Sequence, residues 1–422
     1  MSRFTTLVVL LGGVAILLLG NGLFGTLLGV RANIENFGAA NTGLIMSAYF
    51  LGYAVGSYLC VQAINGVGHI RTFAALSATL AATAIAHAIF VDPVVWGVFR
   101  LVAGVCIVGV FLVIESWLNF MTPPPMRGRV FSIYMMVNLL AMASGQFLLM
   151  VASPGDFVLF GVVSILFALS LLPTSLARIE APPPQPASRL TLRELYAASP
   201  LGVVGCLASG FAAGAFWGMG PVFANSIGLA EFGVASFMSA VILGGMAAQW
   251  PIGSLSDRID RRKVIIATAA LGAIAAGSIA LSGPVSLTIT LILSMLFGAS
   301  LFPLYSLCVA RTLDVLDNDK VLEATRGLIL LFGIGAVLGP IVSGWSMGVA
   351  APIAMFALLA AVFTLLTGFA IYRKPLGETV ATDEQSSFVP MLRTSEYAIE
   401  MAERPNIDPD TADTPADDAQ TS

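Results

Sequence analysis

The sequence predicts an all-α membrane protein of twelve transmembrane helices, arranged as two pseudosymmetric six-helix bundles. Three observations predict it. Of 422 residues, 57% are hydrophobic and only 10% charged, against roughly 45–50% and about 25% in a soluble domain. Apolar stretches recur from Phe4 to Tyr372, each near the roughly 20 residues that a helix needs to cross the hydrocarbon core. Short motifs of the first half return in the second at equivalent places along the chain.

The spans fall near 5–30, 41–62, 71–91, 94–117, 130–151, 157–176, 200–224, 233–253, 264–281, 286–309, 326–347 and 353–372. Turn signals separate many of them: Asp92-Pro93, Pro123-Pro124-Pro125, Ser153-Pro154-Gly155, Ser282-Gly283-Pro284 and Ala351-Pro352. The widest central break, Ala177–Ser199, holds Pro182-Pro183-Pro184-Gln185-Pro186 and three arginines. It divides the chain into an N-terminal bundle (1–176), a cytoplasmic linker (177–199) and a C-terminal bundle (200–374), followed by a tail (375–422). Arg3 with the apolar run after it resembles a signal peptide, but the run exceeds the usual h-region of about 7–15 residues, so it is read as an uncleaved first span.

The repeat is carried by Met46-Ser47-Ala48 with Gly52, which returns as Met238-Ser239-Ala240 with Gly244 after 192 residues. A second set, Arg127-Gly128 with Arg326-Gly327, Glu115 with Asp314 and Gly145 with Gly344, is 199 residues apart. Repeated bundles around a midplane site are the architecture on which rocking carriers are built.

Charge sets the orientation. Cytoplasmic loops retain Lys and Arg, and with both termini cytoplasmic 18 of the 20 basic residues lie on that side. Only Arg31, in an outer loop, and Arg100, within a span, fall elsewhere. The formal charge of −4 averages +5 through Lys374 and −9 over the last 48 residues. That acidic tail has too little apolar surface to offset the entropy of ordering; it is expected to be disordered and is assigned no site. Cys60, Cys106, Cys206, Cys308, His69 and His87 are scattered singly, without metal-ligand or redox spacing, so no metal or cofactor is expected. No nucleophile with a base stands in the spans, which argues against an enzyme.

The loop after the eighth span, Gly253-Ser-Leu-Ser-Asp257-Arg258-Ile-Asp260-Arg261-Arg262, resembles the signature loop of the major facilitator superfamily, with Asp260 where glycine is usual. Its first-half counterpart, Asn65-Gly66-Val67-Gly68-His69-Ile70-Arg71, is degenerate. Arg100-x-x-x-Gly104 with Gly109 is similar to the superfamily motif whose arginine is linked to proton coupling. Gly335-x-x-x-Gly339-Pro340 with Ser343-Gly344 resembles its antiporter motif, but stands in span eleven instead of span five, so antiport is not inferred. Glu115-Ser-Trp-Leu-Asn119, followed by Arg127-Gly128-Arg129, resembles the bacterial YcaD-like branch. The superfamily resemblance covers about 1–374. It implies a multi-pass protein of a bacterial inner membrane that moves a small solute by alternating access, with protons as a candidate coupled ion and with no nucleic-acid partner. A monomer in the bilayer is expected. The other class carried forward is a non-transporting membrane sensor or assembly protein with the same fold.

Arg100 is the leading site candidate, because a charge inside an apolar span costs at least about 2.5 kcal/mol unless paired or hydrated. Two readings stand: it lines the central cavity, or it snorkels to the interface or to neighbouring carbonyls. Glu115 is 15 residues further along, roughly 22 Å at 1.5 Å per residue, too far to pair with it. Glu115 is expected to meet Arg71, Arg127 or Arg129 in an inner gate that forms when the halves close there. Asp314 is expected to meet Arg258 or Arg261. Asp257 is a candidate to sit at the N-terminus of span five, where the helix dipole favours an anion. Gly253, Arg262 and Arg326 complete the gate candidates. On the spans that line the cavity in this superfamily, Asn21, Asn138, Gln146, Trp217 and Tyr305 are solute candidates, each with a plain packing alternative. His87 is the remaining titratable one. Gly12-Gly13, Gly244-Gly245 and Gly333-x-Gly335 are read as points of close helix approach. The scarcity of central charge favours a neutral or mostly apolar solute, sugar-like or drug-like.

Overall fold

The structure is a computed structural model that describes residues 3–172, 192–282, 286–316, 320–373 and Phe388. The first bundle consists of α1 (Arg3–Ile34), α2 (Ala39–Val67), α3 (His69–Ile89), α4 (Pro93–Met121), α5 (Arg127–Gln146) and α6 (Val158–Leu169). A 3-10 turn, Phe147–Met150, extends α5. The second consists of α7 (Pro200–Ser226), α8 (Glu231–Ser256), α9 (Arg261–Ser282), α10 (Leu287–Leu313), α11 (Val321–Val349) and α12 (Ala354–Tyr372). Eleven of these helices, among the described residues, are long and apolar enough to cross a membrane. The exception is α6, whose described part has 12 residues. It passes a turn at Ser170 and resumes at Leu171 and Leu172, where that described stretch ends.

Several helices outrun the predicted spans. α1 has 32 residues, about 48 Å at 1.5 Å each, against a hydrocarbon core of about 30 Å. Its last turn carries Arg31, which the sequence placed in a loop. Arg31 pairs with Glu35 at 2.6 Å and donates to the carbonyls of Pro154 and Gly155, fastening α1 to the α5–α6 connection. α4 starts sharply because Asp92 accepts from the backbone N–H groups of Val94 and Val95 at 2.9 and 3.0 Å. Pro93, in the first position, lacks the N–H that would otherwise be an orphan there.

The two bundles repeat one packing plan. α1 packs on α5, α2 on α4, and α3 on α4 and α6; α7 packs on α11, α8 on α10, and α9 on α10 and α12. Glycines set the register, because each leaves room for a neighbouring backbone carbonyl where a Cβ would collide. Gly52 meets Leu101 as Gly244 meets Met295; Gly104 meets Tyr49 as Gly298 meets Val241; Gly145 meets Leu19 as Gly339 meets Phe211. The repeat is thus 192 residues for α1 and α2 against α7 and α8, but 194 for α4 and α5 against α10 and α11.

This corrects the 199-residue pairing. Gly145 corresponds to Gly339, not Gly344, and the Glu115/Asp314 and Arg127/Arg326 matches are about a turn and a half out of register. Gly335 and Gly339 pack against α7, while Gly344 meets Ala39 and Gly43 of α2. The motif in α11 therefore has a packing role. Gly244 and Gly245 are close-approach points, as expected, but a Cβ at Gly12 or Gly333 would meet nothing within 4 Å. Residues 177–191 of the linker lie outside the described residues. Its end forms a short helix, Leu192–Ala198, whose buried Leu195 packs near Gly327 of α11. The tail from 375 onward also lies outside the described residues, apart from Phe388.

Contacts between the bundles gather at one end, that of the α1–α2 and α7–α8 connections. Ser47 of α2 donates to the carbonyl of Val337 in α11 at 2.7 Å, and Ser239 of α8 donates to that of Ala143 in α5 at 2.8 Å. These serines belong to the repeated Met-Ser-Ala motif, so one pseudosymmetric bond is made twice. Asn33 adds bonds to Val222, Asn225 and Ser226 across the same end.

Gly104→Val is predicted to lower stability by about 1–3 kcal/mol through overpacking, since its Cβ would overlap the Tyr49 carbonyl. Gly12→Val should cost far less. Thermal unfolding in detergent compares the two, and equal losses would refute the packing role of Gly104.

Candidate central cavity and charged helix ends

Arg100 lies eight residues past the Asp92 cap and is only 5% exposed. Its guanidinium carbon sits 4.2 Å from the centroid of the Tyr49 ring and 5.9 Å from that of Phe24. Cation–π attraction in a dry setting contributes about 2 kcal/mol, which offsets part of the desolvation of the charge. The guanidinium borders a cavity of about 30 Å³ lined by Asn21, Thr26, Tyr49, Arg100, Met142 and Trp217, together with Gly22, Gly25 and Phe50. That volume has room for about one or two waters. All lining residues but Trp217 come from the first bundle; Trp217 comes from α7, against Phe216 and Phe302.

Three of the seven predicted solute residues, Asn21, Arg100 and Trp217, meet here. The other four sit in packing positions. Gln146 accepts from the Thr26 hydroxyl and donates to the carbonyls of Gly22 and Met142, both at 3.1 Å, and so ties α1 to α5. Asn138 donates to Tyr134 in its own helix at 2.7 Å. Tyr305 packs edge-on against Phe332, with ring centroids 4.8 Å apart. His87 is buried behind Phe24, among Phe24, Trp96 and Phe99 at 5.2–5.4 Å, with Nδ1 2.6 Å from the Thr83 carbonyl. Sequence reasoning missed Thr26, Tyr49 and Phe50. For the two aromatics a signal existed, since they directly follow the repeated Met46-Ser47-Ala48.

At the opposite end of α8, the signature loop closes on a buried ion pair. Arg261 donates to both carboxylate oxygens of Asp314 at 2.7 and 2.6 Å and to Asp257 at 3.1 Å. The Arg261 and Asp314 side chains are fully buried, so the expected Asp314–Arg261 contact is present within one bundle. Asp260, standing where glycine is usual, accepts from the N–H of Arg262 at 2.9 Å and caps α9. Arg262 in turn donates to the carbonyls of Ala370 and Ile371 at the end of α12. It fastens α9 to α12.

On the first bundle, Glu115 is buried and accepts from the Tyr134 hydroxyl at 3.0 Å. His69 lies 3.1 Å from the Ser116 hydroxyl and stacks on Trp117. Arg127 reaches the Thr122 carbonyl at 3.4 Å. Arg71, Arg129 and Arg258 are exposed at this same end, and Arg326 is half-buried.

Two pseudosymmetric helical bundles with a cavity at their interface, one end sealed and the other ringed by charge, define a carrier-type membrane protein. The sequence matches the Major Facilitator Superfamily over residues 10–320, and the chain belongs to that family. It is 29% identical over 81% of its length, and 88% of the other's, to a protein of Escherichia fergusonii described as the uncharacterized MFS-type transporter YcaD. It is 28% identical to a similarly described protein of Enterobacter sp. strain 638, over 84% and 92% of the two chains. Among solved structures it resembles the nucleoside transporter NupG, with TM-score 0.71, 15% identity and 88% and 99% of the chains covered. It also resembles a bacterial homologue of the human lysosomal transporter Spinster, in an inward-facing and occupied conformation, with TM-score 0.72, 13% identity and 91% and 98% covered. At these identities the two structures share the fold with this chain.

Asp314→Ala strips the buried Arg261 of its two-pronged partner and is predicted to cost about 3 kcal/mol. Replacing both by Arg261→Met and Asp314→Leu should recover most of that loss. Denaturant unfolding in detergent measures both variants, and an unaffected Asp314→Ala would contradict the pair's structural role.

Proposed function

We propose that this chain is an alternating-access secondary transporter of a small neutral or mostly apolar solute. The observation that carries the reading is the cavity shared by both bundles beside the paired Ser47 and Ser239 bonds. With the Lys- and Arg-rich end cytoplasmic, the sealed end faces outward and the structure corresponds to the inward-facing half of the cycle. Exchange to the other half requires that the Ser47–Val337 and Ser239–Ala143 bonds break. New contacts then form at the basic end, among Glu115, Asp257 and the exposed arginines.

The solute must bind the two states unequally for its passage to drive this exchange. Trp217 offers an aromatic face, while Asn21 and Thr26 offer polar atoms. Arg100 offers donors to an oxygen acceptor. The lining contains no carboxylate, which disfavours a cationic solute at this site.

A thermal-shift screen of sugar-like and drug-like compounds, followed by flux into reconstituted vesicles with and without a pH gradient, tests the reading. Arg100→Gln is predicted to cut the initial flux of a transported compound about tenfold or more, as expected for loss of a charged hydrogen bond. Flux at the parental rate would remove Arg100 from the solute path. Vesicles that bind screened compounds yet carry none of them would favour the sensor class.

A further inference from the structure

The described residue furthest along the chain is Phe388, and it sits on the signature loop. Its backbone N–H donates to the Asp257 carboxylate at 2.8 Å. Its ring fills the space beside Gly253, where a Cβ would lie 2.5 Å from the ring's Cε1. The glycine that gives the loop its motif thus makes room for an aromatic ring from the tail.

That surface has another candidate occupant. α5 and α8 run antiparallel and touch at Ala143 and Ser239. Gly253 lies 14 residues beyond Ser239 and Gly128 lies 15 residues before Ala143, about 21 and about 22 Å from the crossing at 1.5 Å per residue. The two glycines therefore stand at the same depth on neighbouring helices. A Cβ at Gly128 would meet nothing within 4 Å. The N-terminus of α5 has neither a side-chain cap nor an acid in its first turn, and Arg127 and Arg129 flank it. An anion is stabilised at such an end, and Asp257, 37% exposed, is the acid placed to reach it when the bundles close there.

We propose that Phe388 is a built-in wedge: seated on Gly253 and Asp257, it occupies the surface of α8 on which the N-terminus of α5 would dock, and so holds the carrier open at its basic end. The inference rests on the rocking motion proposed above, since without approach of α5 and α8 there is nothing to wedge.

The full-length chain carrying Ser132→Cys and Ile259→Cys, both exposed positions on α5 and the α8–α9 loop, reports the separation through spin labels. The native cysteines are buried. Adding Phe388→Ala is expected to raise the ratio of short to long separations about fivefold, the effect of losing one partly buried aromatic contact. A photo-crosslinking phenylalanine at 388 should attach to α8 beside Gly253. Two populations that Phe388→Ala leaves unchanged, or crosslinks elsewhere, overturn the wedge and leave the rocking intact. One invariant separation in both proteins overturns the rocking and the wedge together.

Discussion

The close approach of one helix backbone to another, possible only where a side chain is missing, is the constraint on which this molecule is built. In hydrocarbon, helices gain little from hiding apolar surface from each other, so dense packing at small residues must hold them together. Gly52, Gly104 and Gly145 in one bundle and Gly244, Gly298 and Gly339 in the other supply that packing against neighbouring carbonyls. Because the same contacts recur, each bundle is a stiff unit of the same shape. Stiff units related by a pseudo-twofold can exchange one interface for another without repacking internally.

Two buried guanidiniums are held by different kinds of partner. Arg261 is matched by a two-pronged carboxylate and a second acid, an arrangement that fixes the turn between α8 and α9. Arg100 instead lies against the faces of Tyr49 and Phe24 beside a cavity. A π-face stabilises a cation through the quadrupole of the ring. The distinction is one of partner type, since both side chains are almost fully buried.

The interface between the bundles is made of weaker material. Hydroxyl-to-carbonyl bonds of Ser47 and Ser239 are neutral and each contributes about 1 kcal/mol, so the seal is specific yet reversible. The basic end holds the stronger, charged groups. A tail residue placed among them biases an equilibrium whose two forms differ by a few contacts, which a small local interaction can shift.

Composition and hydropathy alone determine the membrane class and the helical spans, because hydrocarbon admits only helices or closed barrels with backbone groups satisfied internally. The 192-residue repeat was legible for the same reason that it is structural: Met46-Ser47-Ala48 and Met238-Ser239-Ala240 make the same bond. The 199-residue matches were not structural, since chemical likeness at a few positions does not fix register, whereas a glycine facing a carbonyl does. Arg100 stood out by its cost in an apolar span, and Asn21 and Trp217 were found beside it. Tyr49 and Thr26 were not, because which face of a helix meets the cavity depends on crossing geometry that a uniformly apolar sequence does not encode. Likewise the tail read as solvated acid by composition. Only the tertiary structure set Phe388 against Gly253, a contact between residues far apart in the chain that no local pattern specifies.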